Sequence, residues 1–233
     1  MPDAAVAEGA VEQGSYLRTS RLQLPYRLCK RMLDLAVSLA AIVLLAPVWL
    51  LIALLIKLDS PGPVFYTQKA IGLGGREFRL VKFRSMLPDS QRADHQTDLI
   101  RNFRQGTPTA YDDEGRPIFK TALVDGKRIT RMGRLLRRSS LDEVPQLWSI
   151  LVGDMSVVGP RPSLPWEAEL YDECQRRRFD AKPGLTGLYQ VTARNRVSIA
   201  EMIRIDLDYI QRQSLWLDLA ILVKTPNAMF KGL

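Results

Sequence analysis

Residues 35–56 read LAVSLAAIVLLAPVWLLIALLI, a run of 22 residues that contains no charged side chain. As a helix, the run would extend about 33 Å, slightly more than the roughly 30 Å hydrocarbon core of a bilayer. Pro47 lies at its middle, where the missing backbone N–H and the clash of the ring with the preceding turn favour a kink or a break. The run therefore predicts an N-terminal membrane helix that is broken at Pro47.

Basic residues crowd both ends of this run, whereas a spanning helix normally has one basic side. They are Arg18, Arg21, Arg27, Lys30 and Arg31 before it, and Lys57, Lys69 and Arg76 after it. A re-entrant helix, which dips into the membrane and returns to the same face, accounts for both the charges and the proline. A kinked helix that crosses once remains the alternative, because proline is tolerated in membrane helices.

The composition of the 233 residues, 46% hydrophobic and 25% charged, is sufficient for one catalytic unit and a membrane element. A net charge of +8 suits an anionic membrane surface, a diphosphate substrate or nucleic acid. Cys29 and Cys174 have no metal-ligand spacing, so neither zinc nor a disulfide framework is predicted, and a reducing, cytoplasmic face fits best. His95, the single histidine, lies in a polar stretch and is predicted to be an ordinary surface residue.

Downstream of the run, the pattern predicts a mostly helical α+β fold. Val64–Gln68 and Glu77–Ser85 have the pattern of two short strands around three glycines, which indicates a small β-hairpin. Residues 87–129 carry no helical or strand period and are interpreted as an irregular or inserted segment. Helical periods follow at Leu141–Leu151, Trp166–Arg178, Ser198–Gln213 and Leu215–Val223. The last of these could lie at the membrane interface or pack in the core.

Three parts are therefore expected along the chain. Residues 1–20 form a mobile tail, because they are small and polar without an apolar period. Residues 21–58 form a basic flank and the apolar helix, which is either a re-entrant membrane helix or a kinked single crossing. Residues 59–233 form a cytoplasmic catalytic domain with interfacial helices.

Two adjacent carboxylates, Asp142 and Glu143, follow four arginines in the segment 131–143. Nearby positive charge lowers a carboxylate pKa, and an ionised aspartate is the form that attacks phosphorus. The arginines could hold the diphosphate under attack through bidentate hydrogen bonds. The carboxylates, Glu143 above all, could hold magnesium, because hard oxygen ligands together with phosphate oxygens make the usual magnesium site.

The same carboxylates have a structural interpretation. Residues 140–143, Ser-Leu-Asp-Glu, spell a capping box, in which the serine and glutamate side chains satisfy the first backbone donors of a helix. Pro145 weakens that interpretation, because its missing N–H would fall inside the helix and cost a hydrogen bond. An irregular or shifted helix is therefore expected here, and local irregularity is typical of functional sites.

Two loops rich in glycine and proline present further polar groups. Residues 153–162 present Arg161 between two prolines, and a rigidly held arginine suits phosphate recognition. A tight turn with a solvated arginine is the alternative. Residues 182–195 supply Gln190 and Arg194 for polar contacts.

Asp206 lies beside an apolar helical face formed by Ile199, Ile203, Leu207 and Ile210. A carboxylate next to such a face needs a partner. That partner is either an active-site arginine or a member of an ordinary structural ion pair.

Taken in order, four segments resemble the bacterial sugar transferase family, the monotopic phosphoglycosyl transferases. They are KFRSM at 82–86, SLDEVPQL at 140–147, GDMSVVGPRP at 153–162 and KPGLTG at 182–187. The resemblance runs from about Lys30 to Thr225 and includes the apolar run, and all four segments follow that run. It indicates the short form of the family, without an added transmembrane bundle.

The resemblance implies transfer of a sugar-1-phosphate from a UDP-sugar to undecaprenyl phosphate at the cytoplasmic face of the bacterial inner membrane. Asp142 would attack the phosphate next to the sugar, UMP would leave, and undecaprenyl phosphate would capture the aspartyl-phosphosugar. Glu143 would bind magnesium, the apolar run would be re-entrant, and other residues would belong to the substrate site. These residues are Lys82, Arg84, Arg137 and Arg161. Anionic membrane lipids and a second copy of the chain are expected partners, and the sugar is not specified.

The chain departs from the family pattern at two positions. Ala46 stands where a serine commonly precedes the helix-breaking proline, so a hydroxyl that could satisfy a freed carbonyl is missing. Ala70 stands where an arginine is expected. Lys69 precedes it, but on a strand it would point to the opposite face.

Two other classes of function compete with a transferase. A non-catalytic membrane scaffold for polysaccharide assembly would not depend on Asp142. A basic nucleic-acid-binding protein is disfavoured, because the sequence has no recognised binding module or aromatic-interleaved basic patch and carries the uncharged run. We therefore expect no nucleic-acid partner.

Overall fold

The structure is a computed structural model that describes residues 24–87, 105, 107–108, 110–111, 117–118, 129–193 and 196–231. In chain order the helices are α1 (Leu24–Asp59), α2 (Arg131–Ser139), α3 (Leu147–Val152), α4 (Pro165–Glu169), α5 (Glu173–Arg176), α6 (Leu188–Thr192), α7 (Ile199–Arg212) and α8 (Leu215–Lys231). The strands are β1 (Phe65–Ile71), β2 (Glu77–Phe83), β3 (Ala110–Tyr111), β4 (Pro117–Ile118), β5 (Ser156–Val158) and β6 (Gly184–Thr186). The predicted class, α+β and mostly helical with a small hairpin, is confirmed.

Helix α1 is 36 residues long and continues through Pro47, so a break there is corrected to continuous helical structure, whereas a kink at Pro47 stays a prediction. A proline removes only one intrahelical hydrogen bond, and the apolar residues on both sides keep the helix favourable. Among the described residues, α1 is the one helix long and apolar enough to cross a membrane, with a mean hydropathy of 3.0 in its most apolar window. Whether its path is re-entrant stays a prediction.

The first turns of α1 are tied to the rest of the chain by polar contacts. The Lys30 ammonium donates to the buried carboxylate of Asp218 at 2.8 Å. The Arg31 guanidinium donates to the carbonyls of Ile150 and Leu151, both at 2.7 Å, at the C-terminal end of α3. Such carbonyls lack helical partners, so a cation there completes the helix end.

The last turns of α1 are packed on the same body by apolar contacts. Ile52 and Ile56 are buried against Phe83 and Leu136. The Asp59 carboxylate accepts a hydrogen bond from the backbone N–H of Met132 at 2.8 Å. Both ends of the apolar helix therefore contact the folded domain that follows it.

Strands β1 and β2 form the predicted hairpin, antiparallel from the pair Phe65 and Phe83 to the pair Ile71 and Glu77. The tip turns through Gly74 and Gly75, at φ 66° and 76°, a region that glycine enters without steric cost. Ala70 is fully buried on the core face. Lys69 points away from that face and pairs with Glu77 at 2.8 Å, so it does not occupy the place of the missing arginine.

The later helices follow the predicted positions with one correction. Leu141–Leu151 is helical as a 3-10 helix (Leu141–Gln146) followed by α3, and α7 begins after the predicted N-cap Ser198, whose hydroxyl accepts from the N–H of Glu201. The single helix predicted over Trp166–Arg178 is wrong. It is divided into α4, α5 and a 3-10 helix (Arg177–Asp180), because the Asp172 side chain caps a new helix start at the N–H of Gln175.

The main hydrophobic core lies between helices α7 and α8 and the two loops rich in glycine and proline, at residues 153–162 and 182–195. Strands β5 and β6 pair in parallel, with Ser156 opposite Gly184. A Cβ atom on Gly184 would lie 2.1 Å from the backbone nitrogen of Gly159, so glycine is required where these two loops cross. The predicted tail, most of the irregular segment 87–129, His95 and Arg194 lie outside the described residues.

Candidate active site

Ser140 sets the direction in which Asp142 and Glu143 are presented. It has φ 57° and ψ 16°, the left-handed region, and is the one non-glycine residue with positive φ among those described. Helix α2 therefore ends abruptly, and the 3-10 helix begins at the next residue with both carboxylates in its first turn. A strained residue at such a junction is typical of functional sites.

The capping box is not formed. The Ser140 side chain makes no capping hydrogen bond, and the Glu143 carboxylate instead accepts from the Lys82 ammonium at 2.7 Å. The irregular geometry predicted from Pro145 is confirmed, because this residue lies inside a 3-10 helix rather than an α-helix. The Glu143 carboxylate is thus turned toward strand β2 and away from the helix end.

The structure places Lys82 against Glu143, the residue after Asp142 in the chain, and Arg137 near the end of the strand that carries Lys82. The Lys82 and Glu143 side chains are 24% and 31% exposed, and Asp142 is also partly exposed. Arg137 Nε donates to Ser85 Oγ at 2.8 Å, which fixes this arginine beside the end of β2. We define these four residues, Lys82, Arg137, Asp142 and Glu143, as the dyad site.

Arg84 joins the hairpin to α1. Its side chain is buried and donates to the carbonyls of Pro61 at 2.8 Å and Ser60 at 2.6 Å, and to that of Ile56. These carbonyls surround the C-terminal end of α1, where a cation is favourable. The contacts give Arg84 a structural role, and its predicted contact with substrate stays a prediction.

Arg161 is held in a second group of residues. Its Nη1 atom lies 3.2 Å from both carboxylate oxygens of Glu167, and its backbone N–H donates to Asp206 Oδ2 at 3.3 Å. Asp206 also accepts from Arg178 Nη2 at 2.6 Å. We define these four residues, Arg161, Glu167, Arg178 and Asp206, as the buried cluster.

Asp206 forms a buried ion pair with Arg178. Its side chain is 0% exposed and that of Arg178 is 1% exposed, so the structure shows the buried ion pair with an arginine that was one of the two alternatives for Asp206, while a role of Asp206 in the substrate site stays a prediction. Burial raises the pKa of the Asp206 carboxyl, and the adjacent Arg178 acts in the opposite direction. The carboxylate of Glu167 raises the pKa of Arg161, which keeps that guanidinium charged.

Gln190 lies on α6 and is partly buried. Its Oε1 atom is buried without a hydrogen-bond partner among the described residues and packs close to Gly187. The polar contact predicted for it therefore stays a prediction. The same holds for Arg194, which the structure does not describe.

Sequence reasoning missed Glu167 and Arg178. Arg178 is the third of three consecutive arginines, and composition does not distinguish it from Arg176 and Arg177. The need of Asp206 for a partner indicated that some arginine would be buried, without indicating which. Only the packing of the 3-10 helix (Arg177–Asp180) against α7 selects it.

The dyad site fits magnesium only together with substrate. No group of three or more histidine, cysteine, aspartate or glutamate side chains that could hold a metal occurs in the described part of the chain. Magnesium is commonly bound by one or two carboxylates together with substrate phosphates and water. Asp142 and Glu143 are a donor set of that kind.

Comparison with known proteins identifies related chains. A profile described as bacterial sugar transferase matches residues 25–232. The exopolysaccharide production protein ExoY of Sinorhizobium fredii is 40% identical over 200 residues, which cover 86% of this chain and 84% of ExoY. ExoY of Rhizobium meliloti is 41% identical over 202 residues, which cover 87% of this chain and 85% of that protein.

A longer relative matches along almost the whole chain. The UDP-glucose:undecaprenyl-phosphate glucose-1-phosphate transferase of Xanthomonas campestris pv. campestris is 37% identical over 233 residues. The match covers 97% of this chain and 42% of that protein. The chain thus spans most of the length of the two ExoY proteins and less than half of this transferase.

Proposed function

This chain belongs to the bacterial sugar transferase family, and we propose that it moves a sugar-1-phosphate from a UDP-sugar to undecaprenyl phosphate and releases UMP. The name of the Xanthomonas relative describes this reaction for glucose. The reaction would be the first membrane step in assembly of an exopolysaccharide, capsule, O-antigen or glycoprotein glycan.

One observation about the two adjacent carboxylates supports the proposal. Asp142 is partly exposed in the first turn of a 3-10 helix, while the neighbouring Glu143 is engaged by Lys82 at 2.7 Å. An ion pair restrains Glu143, and the resemblance of the segment at 140–147 assigns the attack on phosphorus to Asp142.

The proposed reaction has two displacements at one phosphorus atom. An Asp142 carboxylate oxygen bonds to the phosphorus next to the sugar, the bond from that phosphorus to the bridging oxygen breaks, and UMP leaves with the bonding pair. An oxygen of undecaprenyl phosphate then bonds to the same phosphorus. The bond to Asp142 breaks, so that the carboxylate is restored and the lipid carries a diphosphate-linked sugar.

The other members of the dyad site act on charge and position. Lys82 limits the rotation of Glu143, and Arg137 is placed to contact donor phosphates beside the end of β2. Magnesium, held by Asp142 and Glu143, would neutralise charge that develops on the diphosphate. A carboxylate has about four lone-pair sites, so the contact of Glu143 with Lys82 is compatible with metal binding.

The apolar surface supports placement at a membrane. Exposed apolar side chains line α1 and also occur on α3 and α8, where Trp148 is 61% and Trp216 is 83% exposed. On α1 they include Leu39, Val43, Leu44, Leu50, Leu54 and Leu58. Because both ends of α1 contact the same domain, we propose that this helix bends at Pro47 inside the bilayer and returns, with the catalytic domain on the cytoplasmic face.

The proposal is tested with the full chain purified into lipid nanodiscs. Radiolabelled UDP-glucose, UDP-galactose and N-acetylated UDP-sugars are mixed with the protein in the presence and absence of magnesium. We expect UMP release and a labelled protein adduct with at least one donor, both absent from Asp142→Asn. Asp180→Asn, which changes an exposed aspartate, serves as the matched control and retains both signals.

Two outcomes would contradict the proposal. UMP release that persists in Asp142→Asn would show that another group is the nucleophile. Absence of UMP release with every donor would refute the transferase activity and would favour the non-catalytic scaffold.

A further inference from the structure

Arg161 stands between Pro160 and Pro162, neither of which has a backbone N–H. The N–H at the centre of this loop is therefore that of Arg161 itself. It donates to Asp206 Oδ2 at 3.3 Å, and the Arg161 carbonyl accepts from Arg178 Nη2 at 2.9 Å. Both backbone polar groups of Arg161 are thus bound by a single buried ion pair.

Arg178 makes these contacts as part of a larger set. Nη2 also donates to Asp206 at 2.6 Å, and Nη1 donates to Tyr171 Oη at 2.5 Å and to Ser163 Oγ at 3.1 Å. The planar guanidinium holds its donors in a fixed geometry, whereas a lysine ammonium is a single point on a flexible stem. Arg178 therefore sets the distance between α7, which carries Asp206, and the loop that carries Arg161.

The Arg161 side chain is restrained at one nitrogen and accessible at the others. Nη1 binds Glu167, whose side chain is 6% exposed, while the Arg161 side chain is 35% exposed. Within the described residues, Nε and Nη2 of Arg161 donate no hydrogen bond, and neither is a buried atom without a partner. The guanidinium thus retains donors that can reach a ligand.

We propose that Arg178, Asp206 and Glu167 are positioning residues that hold Arg161 for the diphosphate of the nucleotide-sugar donor. This inference rests on the proposed function, since it assigns Arg161 to the donor. A buried ion pair contributes little net stability compared with apolar residues of similar volume, so its value here is geometric. A preorganised arginine binds phosphate without having to lose side-chain and loop freedom.

The two half-reactions provide a readout that a purely structural role would not change. In a two-step displacement, kcat/KM for each substrate depends only on its own half-reaction. We expect Arg178→Lys to lower kcat/KM for the UDP-sugar by about 10- to 100-fold, because misplacement of a binding group by about 1 Å can cost that much. We expect kcat/KM for undecaprenyl phosphate to stay within about 2-fold, since the proposed contact of Arg161 is to the phosphate that leaves with UMP before that substrate reacts.

Asp206→Asn and Glu167→Gln test the same point with smaller changes. The asparagine can still accept from the N–H of Arg161, and the glutamine can still accept from Arg161 and from the N–H of Leu164. Each is expected to lower kcat/KM for the UDP-sugar less than Arg178→Lys does, and to leave kcat/KM for undecaprenyl phosphate unchanged. They keep the inference testable if the lysine variant does not fold.

A double variant identifies the residue through which Arg178 acts. Arg161→Ala combined with Arg178→Lys is expected to have the same donor kcat/KM as Arg161→Ala alone, because a positioning residue has no effect once its target is absent. Independent, additive losses would overturn the inference.

The remaining outcomes separate this inference from the proposed function. An equal loss of kcat/KM for the UDP-sugar and for undecaprenyl phosphate in the three single variants would show that less of the protein is active, rather than that Arg161 is misplaced. That result would refute the positioning role and leave the transferase activity intact. A wild-type protein that releases no UMP from any donor would refute the proposed function, and the inference with it.

Discussion

Asp142 and Asp206 are the same residue type in opposite surroundings. Asp142 is partly exposed at the start of a 3-10 helix, beside a second carboxylate. Asp206 is 0% exposed, and one of its oxygens is shared between the Arg178 guanidinium and the N–H of Arg161. The comparison teaches that burial separates a carboxylate available for chemistry from one committed to holding a loop.

The arginines of the two regions show the same division. Arg84 and Arg178 are both buried and donate to backbone carbonyls of a neighbouring segment. Arg161 keeps donors at the surface because one nitrogen alone binds Glu167. In both regions a buried cation supports the element that presents the accessible group.

The largest expected effect is on chemistry in the dyad site. Asp142→Asn should lower the rate of UMP release by more than about 10⁴-fold, because a neutral amide is not a nucleophile toward phosphorus. The thermal unfolding midpoint in the same nanodiscs should not fall, since no buried pair is broken. A large drop in that midpoint would show that Asp142 belongs with Asp206 as a structural residue.

The second effect is on stability in the buried cluster. Arg178→Met should reduce the free energy of unfolding by about 3–5 kcal/mol, because Asp206 is left as a buried charge without its partner. This corresponds to a drop of roughly 10 °C in the unfolding midpoint. Arg177→Met, which changes an arginine paired with Asp180 at 3.6 Å near the surface, is the control and should cost less than about 1 kcal/mol.

The double variant Arg178→Met/Asp206→Leu sharpens that prediction. It should recover part of the lost stability, since no charge remains buried. It should not recover kcat/KM for the UDP-sugar, because Arg161 still lacks its supports. Recovery of both quantities together would show that the buried pair has no role beyond stability.

A smaller effect is expected from Lys82→Met. Loss of the contact with Glu143 should lower UMP release by about 10- to 100-fold, since a positive charge and the restraint on a carboxylate are both removed. Stability should change by less than about 1 kcal/mol, because the pair is partly exposed. An unchanged rate of UMP release would show that Lys82 has no role in the reaction.

The smallest effect is expected from Lys69→Ala. Its pair with Glu77 is exposed, with side chains 72% and 51% accessible, so stability should change by less than about 0.5 kcal/mol. UMP release should be unchanged, because Lys69 points away from the core face that Ala70 occupies. A loss of activity would mean that Lys69 replaces the arginine expected at position 70.

Much of the fold was predictable because the relevant signals are local. The hairpin followed from two β-rich stretches around glycines, and α7 followed from its N-cap Ser198 and its apolar period. Pro145 predicted an irregular helix, and that prediction is confirmed. The helix predicted over Trp166–Arg178 was wrong because one capping side chain, Asp172, outweighed the apolar period.

The sequence predicted which residues belong to the site better than it predicted what each of them does. The motifs named Lys82, Asp142 and Glu143, and the structure places Lys82 against Glu143 at 2.7 Å. The segment at 82–86 also named Arg84 as a substrate-site residue, although its side chain is buried, and Asp206 was singled out as a carboxylate in need of a partner. Burial depends on which distant segments pack together, and residue spacing alone does not contain that information.

By itself, the sequence determined the apolar helix, the hairpin, the order of the motifs and the family to which the chain belongs. The helix and the hairpin follow from composition and spacing along the chain, and the family follows from the resemblance of the ordered motifs. Only the tertiary structure decided that α1 contacts the domain at both ends, that Lys82 restrains Glu143, and that Arg178 and Asp206 hold Arg161. Each of these joins residues far apart in the chain, so the packing of elements decides which charges meet and which of them remain accessible to a ligand.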